Sequence, residues 1–226
     1  MKQILQIFII LFLISCNKIT VSQTEINAVD KVLQFYGGEV NRSIGFKTVN
    51  GKKTDYFELK VSKSQLLNKN QTDLTEHAGN IAYLFYSNLQ AEKSNYDEVR
   101  VIIDLENGES RNYVFPKTEL DEIEKLYPEI EKTNNYINNA EYKSLANQFS
   151  KKIETNENDL NQLFKELHTK FGNIKQIQTQ GFSFANDKEI GNYILIKEAV
   201  VLDGDSGAMF LSYDRKTKEL VGIHFP

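Results

Sequence analysis

Ile190 to Ser212 reads IGNYILIKEAVVLDGDSGAMFLS, two apolar runs joined by a short polar segment. The first run, Ile190 to Leu202, carries apolar residues at consecutive positions, so it predicts a strand buried on both faces in the middle of a sheet. Asp203 to Gly207 supplies the glycine, aspartate and serine that tight hairpin loops favour. Ala208 to Tyr213 then predicts the returning strand, and the whole stretch predicts the centre of an antiparallel sheet.

The segments on either side complete that sheet and cover it. Ile174 to Ala185 and Leu220 to Phe225 predict two more strands. Tyr142 to Ile153 and Leu160 to Phe171 place apolar residues at helical spacing. Two helices followed by a four-stranded antiparallel meander form an α+β layer structure, which we assign to a C-terminal domain over residues 136–226.

Residues 25–135 predict a second α+β domain in the order helix, hairpin, helix, hairpin, helix, with the helices packed on an antiparallel sheet. Its helices are predicted from Glu25 to Tyr36, Thr72 to Gln90 and Thr118 to Thr133, and its hairpins turn at Asn50-Gly51 and Asn107-Gly108. Asn-Gly favours the type I′ turn because both central residues need positive φ. Thr118 with Asp121 resembles a capping box for the third helix. Asn134-Asn135, with Asn138-Asn139 just beyond, predicts a helix break and the domain boundary.

The C-terminal half carries Phe149, Leu163-Phe164, Phe171-Gly172 and a closing Val221-Gly222-Ile223. In these features it resembles the small secreted domains of the nuclear transport factor 2-like and cystatin-like group. The resemblance implies a curved sheet that wraps a helix. It also implies a binding or accessory role, since many members of that group have no known activity.

The chain begins MKQILQIFIILFLISC, with Lys2 before an almost unbroken apolar run from Ile4 to Ile14. The run is too short to span a bilayer, which needs about 20 residues, and it has the design of a secretory signal. Leu13-Ile14-Ser15-Cys16 resembles the lipobox of bacterial lipoproteins. A plain secretory signal with an incidental cysteine is the alternative.

The lipobox resemblance implies cleavage before Cys16 and lipid, such as palmitate, on its sulfur and amino terminus. Residues 1–15 are then a signal peptide, and residues 16–24 are the lipidated cysteine and a polar tether. The expected location is the cell envelope, anchored to a membrane on its periplasmic face or at the outer membrane. Several acyl chains give a stable anchor where one would be marginal.

Composition predicts an ordinary globular body behind this segment. Charged residues make up 26% and hydrophobic residues 40% of the 226 residues. The balance of 27 basic to 31 acidic residues contains no basic stripe, so we expect no nucleic-acid partner. Cys16 is the only cysteine, so no disulfide supports the fold. No cofactor motif is found.

Gly204-Asp205-Ser206-Gly207 resembles the nucleophile loop of chymotrypsin-like serine proteases. A catalytic serine needs a base and a group that orients it. His77 and Asp104 precede Ser206 in that family's order, but the largely helical region between them and the serine leaves no room for two β-barrels. We therefore predict that Ser206 lies in a turn and that the protein is not an enzyme.

The remaining candidate ligands give weaker patterns. Asp203, Asp205 and Asp214 match the first, third and twelfth places of a calcium loop, but Ala208 stands where glycine is required. We therefore predict no metal site. His168 is expected at the edge of an apolar helix face, and His224 at the surface.

Together these features predict a membrane-anchored envelope lipoprotein that acts as a non-catalytic binding or accessory module. The ligand is a protein, a peptide or a small apolar molecule. One alternative is an inhibitor or immunity-type protein that uses the exposed loop Leu202 to Ala208 against a partner enzyme. The other is a serine hydrolase using Ser206.

Overall fold

The computed structural model describes residues 21–226, and this part of the chain is an α+β structure with two four-stranded sheets. The predicted signal peptide (1–15) and Cys16 lie outside the described residues. Helix α1 spans Gln23–Tyr36, so the tether prediction is wrong for its last two residues. Ser22 starts the helix with a capping box: its side chain accepts from the Glu25 N–H at 3.1 Å, and the Glu25 carboxylate accepts from the Ser22 N–H at 2.7 Å.

The first sheet contains the two predicted hairpins. Its strands are β1 (Glu39–Val49), β2 (Lys52–Ser62), β3 (Glu98–Asp104) and β4 (Ser110–Pro116). Asn50 and Gly51 have φ of 51° and 77°, which confirms the backbone expected for the first Asn-Gly turn. The sheet is not wholly antiparallel as predicted, because β2 and β3 pair in parallel. A parallel pair needs a long crossover, and helices supply it here.

That crossover consists of α2 (Gln65–Lys69), a 3₁₀ turn (Gln71–Asp73), α3 (Leu74–Ser87) and a second 3₁₀ turn (Gln90–Asn95). The predicted helix from Thr72 to Gln90 corresponds to α3. Helix α2 was missed because its five residues are too few for a periodic pattern. Phe85 and Tyr86 of α3 are buried in the core.

Helix α4 extends across the predicted domain boundary. It spans Lys117–Asn138, so Asn134-Asn135 lies within it and the predicted break there is wrong. Pro116 is its N-cap and no side chain caps it, so the predicted Thr118–Asp121 capping box is also wrong. Asp121 instead accepts a hydrogen bond from the Tyr86 hydroxyl. The assignment of residues 25–135 and 136–226 to separate domains stays a prediction.

The second half follows its prediction closely. Helix α5 (Tyr142–Ala146) is shorter than predicted, and α6 (Glu157–Phe171) starts at the Asn156 cap and ends at Gly172. The strands are β5 (Ile174–Asp187), β6 (Gly191–Leu202), β7 (Ser206–Asp214) and β8 (Leu220–His224). They pair in the order β5-β6-β7-β8, all antiparallel, which confirms the meander.

Strand β6 lies between two partners, as predicted, but only one of its faces is fully buried. Ile194, Ile196 and Val200 are at most 1% exposed, whereas Val201 on the other face is 43% exposed. The two faces differ because helices cover one side of the second sheet, whereas the other side is only partly covered. The face with Ile194 and Val200 is called the core face below.

Helix α3 joins the two halves of the structure. It packs against both β3 of the first sheet and β5 of the second. Gly79 of α3 meets the main chain of Phe182, and Gly181 of β5 meets the main chain of Glu76. Buried apolar residues of both halves form one continuous cluster around this contact.

Candidate functional site

A cavity of about 150 Å³ opens where the β6–β7 turn meets the end of α6. Its apolar wall comes from the helix, the sheet and the chain terminus, and its rim comes from the turn. The lining residues are Leu167, Phe171, Val200, Leu202, Asp205, Ser206, Gly207, Ala208, Phe225 and Pro226. The sequence analysis considered Asp205 and Ser206 as candidate site residues, but it did not bring them together with Leu167, Phe171 or Phe225.

The cavity has an apolar floor and a polar, exposed rim. Val200 is 1% exposed and Leu167 is 8% exposed, so both are fixed in the core. Phe171 is 37% exposed and stands at the entrance, where α6 ends. Asp205, Ser206 and Gly207 are exposed on the opposite side of the opening.

The turn at the rim is a tight hairpin, as the sequence predicts. The Leu202 N–H donates to the Asp205 carbonyl at 2.9 Å, which closes the turn. The Asp203 carboxylate accepts from the Asn173 N–H at 2.8 Å and pairs with Lys175 at 2.7 Å. These contacts hold the pKa of Asp203 below its usual range, and the hydrogen bond from Lys175 has the largest effect.

Gly172 permits this attachment of the turn to the end of α6. Its φ is 86°, which favours glycine, and a Cβ there would press on the side chain of Asp203. The turn and the helix end are therefore held together, and the entrance of the cavity has a fixed shape.

Ser206 is the first residue of β7 and pairs with Val201, so the prediction that it lies in the turn is wrong: the turn ends at Asp205. Ser206 is exposed, and its N–H donates to the Asp205 carboxylate at 2.7 Å. No histidine is among the residues that line the cavity beside it.

His77 lies on α3, 1% exposed, and its ring packs edge-on against Tyr36. Burial, aided by the charge of Lys197, lowers the pKa of His77 to about 4. Asp104 pairs with Lys60 in the first sheet at 2.8 Å. The hydrolase interpretation stays untested.

The other two histidines lie where the sequence predicts. His168 is half-buried on α6 near the ring of Phe164, and His224 is exposed on β8.

The three aspartates of the calcium pattern do not converge. Asp203 and Asp205 lie at the turn, whereas Asp214 ends β7 and accepts from the Lys216 and Thr217 N–H groups, both at 2.8 Å. Nine residues of extended strand, about 30 Å, separate the two ends of β7. Within residues 21–226, no group of three or more acidic, histidine or cysteine side chains is arranged to hold a metal ion.

Sequence reasoning missed the cavity because its wall comes from three distant segments. Leu167 and Phe171 belong to an apolar helix face that predicts only core packing. Phe225 follows the last strand and shows no pattern of its own. Glu198, fully buried on the core face of β6, was also missed, because an acidic residue in an apolar strand gives no sign of which face it occupies.

No family model, curated protein or solved structure matches this chain. The resemblances to lipoproteins and to the nuclear transport factor 2-like and cystatin-like group therefore stay predictions. In the part of the chain that the structure describes, no helix has the length and apolar character needed to cross a membrane.

Proposed function

We propose that this protein is a membrane-anchored lipoprotein of the cell envelope that binds a protein partner without catalysing a reaction. One apolar side chain of the partner enters the cavity beside the β6–β7 turn. The observation that supports this proposal is the cavity itself, with its apolar floor and its exposed polar rim.

The size of the cavity sets the size of the group that it accepts. An apolar cavity of about 150 Å³ takes one benzene-sized ring. That volume suits a phenylalanine or leucine side chain and is too small for a lipid or a polycyclic ligand, whose sites range from about 300 to 1,000 Å³. We therefore assign a single side chain as the occupant.

The surroundings of the entrance favour a protein over a free small molecule. Phe171 is 37% exposed, and Asp205 of the turn and Ser206 at the start of β7 present polar groups across the opening from it. Protein interfaces combine a buried apolar anchor with a polar, solvated rim in this manner. A molecule held only inside the cavity would leave the exposed part of the Phe171 ring uncovered.

A capped amino acid provides a direct test. We expect N-acetyl-phenylalaninamide to bind the 21–226 fragment with a Kd of about 1 mM at best, because a binding free energy of about 0.3 kcal/mol per non-hydrogen atom gives about 4 kcal/mol for a ligand of this size. Methyl resonances of Leu167, Val200 and Leu202 should shift during an NMR titration. N-acetyl-alaninamide should leave them unchanged.

Two phenylalanines of the chain provide a matched pair of variants. Phe171→Glu places a charge at the entrance and should weaken binding of the capped phenylalanine at least tenfold. Phe46→Glu changes a phenylalanine that is 63% exposed on the first sheet, and it should leave binding unchanged. Equal loss in both variants, or equal shifts with both capped amino acids, would contradict the proposed site.

One observation favours the inhibitor or immunity-type alternative. That role requires an exposed aromatic patch near the loop Leu202 to Ala208, and Phe171 stands beside it. In this case the partner is an enzyme whose activity falls on binding. Labelling by a fluorophosphonate that depends on Ser206 would instead favour the hydrolase and remove the non-catalytic proposal.

The anchor is tested separately, through Cys16. In a bacterial host that processes lipoproteins, the full chain should incorporate an alkyne-tagged fatty acid and partition with membranes. Cys16→Ser should abolish the label and release the protein in soluble form, because a single cysteine carries the attachment. A labelled Cys16→Ser variant would show that the lipobox interpretation is wrong.

A further inference from the structure

Glu198 is a carboxyl group in the apolar interior of the second sheet. It lies on the core face of β6, between Thr179 on β5 and Met209 on β7, with 0% of its surface exposed. Helix α4 covers it and brings Asn134 within hydrogen-bonding distance. A buried carboxylate without a cation is costly, so the protonation state of this group requires an explanation.

The hydrogen bonds of Glu198 distinguish its two oxygens. Oε1 accepts from the Asn134 amide Nδ2 at 3.1 Å and from the Thr179 hydroxyl at 3.0 Å. Oε2 is buried and has no partner among the described residues, and neither has the amide oxygen Oδ1 of Asn134. The contact between Glu198 and Asn134 therefore leaves one oxygen of each residue without a hydrogen bond.

A single proton satisfies both atoms. A carboxylic acid has one carbonyl oxygen that accepts and one hydroxyl that donates. Oε1, with two donors, has the role of the carbonyl, and Oε2 is left as the hydroxyl. The hydroxyl needs an acceptor, and Asn134 Oδ1 is the unsatisfied acceptor on the adjacent amide.

We infer that Glu198 is a neutral carboxylic acid that donates Oε2–H to Asn134 Oδ1 while accepting Nδ2–H at Oε1. This acid–amide pair is a proton-dependent link between α4 and the second sheet. Loss of the proton leaves a buried anion facing an amide oxygen, and the link becomes repulsive.

The charged groups around the pair do not favour an anion. Tyr127 of α4 and Tyr213 of β7 lie near the Glu198 carboxyl, and the acidic Glu131 and Glu129 of α4 lie near these two tyrosines, so none of the four is a cation. β5 contributes the uncharged Thr179. Lys197, the chain neighbour of Glu198, lies on the opposite face of β6 and pairs with Asp73.

The acidity of the group agrees with the geometry. Burial raises the pKa of the Glu198 carboxyl from its usual 4.5 to about 7, despite the hydrogen bonds from Asn134 and Thr179. The unfolded chain loses this proton near pH 4.5 and the folded chain near pH 7. The stability that the proton confers is therefore complete below pH 4.5, falls as the pH rises between these values, and is lost above about pH 7.

Glu198→Gln tests the inference, because glutamine reproduces the shape and hydrogen bonds of the neutral acid but never ionises. Between pH 4.5 and pH 8, the folding equilibrium constant of the wild type should fall by about 150-fold more than that of Glu198→Gln. The two proteins should have similar stability at pH 4.5. Urea unfolding followed by circular dichroism measures both values. Glu106→Gln, an exposed carboxyl in the β3–β4 turn, is the matched control and should keep the wild-type pH dependence.

A ¹³C NMR titration of the folded protein gives a reading that does not depend on stability. The carboxyl carbon of Glu198 should titrate near pH 7, and Asn134→Leu should change its midpoint. A midpoint below pH 5 would overturn the inference, as would a Glu198→Gln variant that retains the full pH dependence of the wild type.

Discussion

Gly181→Ala is expected to destabilise the fold by about 3 kcal/mol or more, or to prevent folding, because the added methyl group has no space. A Cβ at this position would lie far inside contact distance of the Glu76 carbonyl oxygen and carbon. Both are main-chain atoms of α3, so no side-chain rotation relieves the clash. The helix would have to move away from β5.

Gly79→Ala tests the same contact from the other side. Within an ordinary helix, replacing glycine by alanine stabilises by about 1 kcal/mol. Here the sign should reverse, since a Cβ on Gly79 would strike the Phe182 carbonyl oxygen and lie 3.3 Å from two atoms of its ring. Urea unfolding followed by circular dichroism measures the free energy of unfolding for both variants.

Gly204→Ala provides the control for both variants. No atom lies within 4 Å of a Cβ at that position, so the change should stay within about 0.5 kcal/mol. If Gly181→Ala and Gly204→Ala proved equally mild, α3 and β5 would not be in the close contact described. Another contact would then have to hold the two halves of the structure together.

The parts of the fold that sequence reasoning predicted are those with local signals. The strands from Ile174 to His224 carry their own apolar runs and are bounded by turn residues. The predicted ends of each strand differ from the observed ends by at most two residues. The Asn50-Gly51 turn was predicted for the same reason, since asparagine and glycine tolerate positive φ. In the second pair only Gly108 adopts it, so the type I′ turn expected at Asn107-Gly108 is not formed.

The parts that were missed depend on contacts between distant segments. The parallel pairing of β2 with β3 is set by how the intervening helices pack, and no residue in either strand encodes it. The sequence predicted a helix break at Asn134, but its amide donates to the Glu198 carboxyl, 64 residues away in the chain. A tertiary contact therefore outweighs the local preference of asparagine at this position. The cavity was missed for the same reason, since α6, the β6–β7 turn and the C-terminus meet only in the folded chain.

The second large effect concerns Lys197, which is 7% exposed and pairs with Asp73 just before α3. Asp73→Ala should cost about 3 kcal/mol, because it leaves a buried ammonium without its partner. Lys197→Met should change the free energy of unfolding by less than about 1 kcal/mol, because it removes the charge and keeps an apolar side chain of similar length. The larger effect therefore belongs to the more exposed member of the pair.

The double variant separates this explanation from simple loss of packing. In the Lys197→Met background, Asp73→Ala should cost less than about 1 kcal/mol, since no buried charge is left unpaired. Equal costs of Asp73→Ala in both backgrounds would contradict the role of the ion pair. Urea unfolding at pH 7 gives all four free energies.

The pH dependence of the pair has the opposite sign to that of Glu198. Partial burial tends to raise the pKa of Asp73, but hydrogen bonds from Lys197 and Thr72 outweigh it and hold the pKa below its usual 3.8. The contribution of Asp73 is therefore complete above pH 3.8 and is lost as the pH falls through the lower pKa of the folded state. Glu198 loses its contribution as the pH rises. His77 acts in the opposite direction, because its pKa falls from 6.5 to about 4 in the folded chain and its contribution grows as the pH rises between these values. In Glu198→Gln the stability should therefore rise from about pH 4 to pH 6.5, and the loss at lower pH, to which Asp73 contributes, should remain.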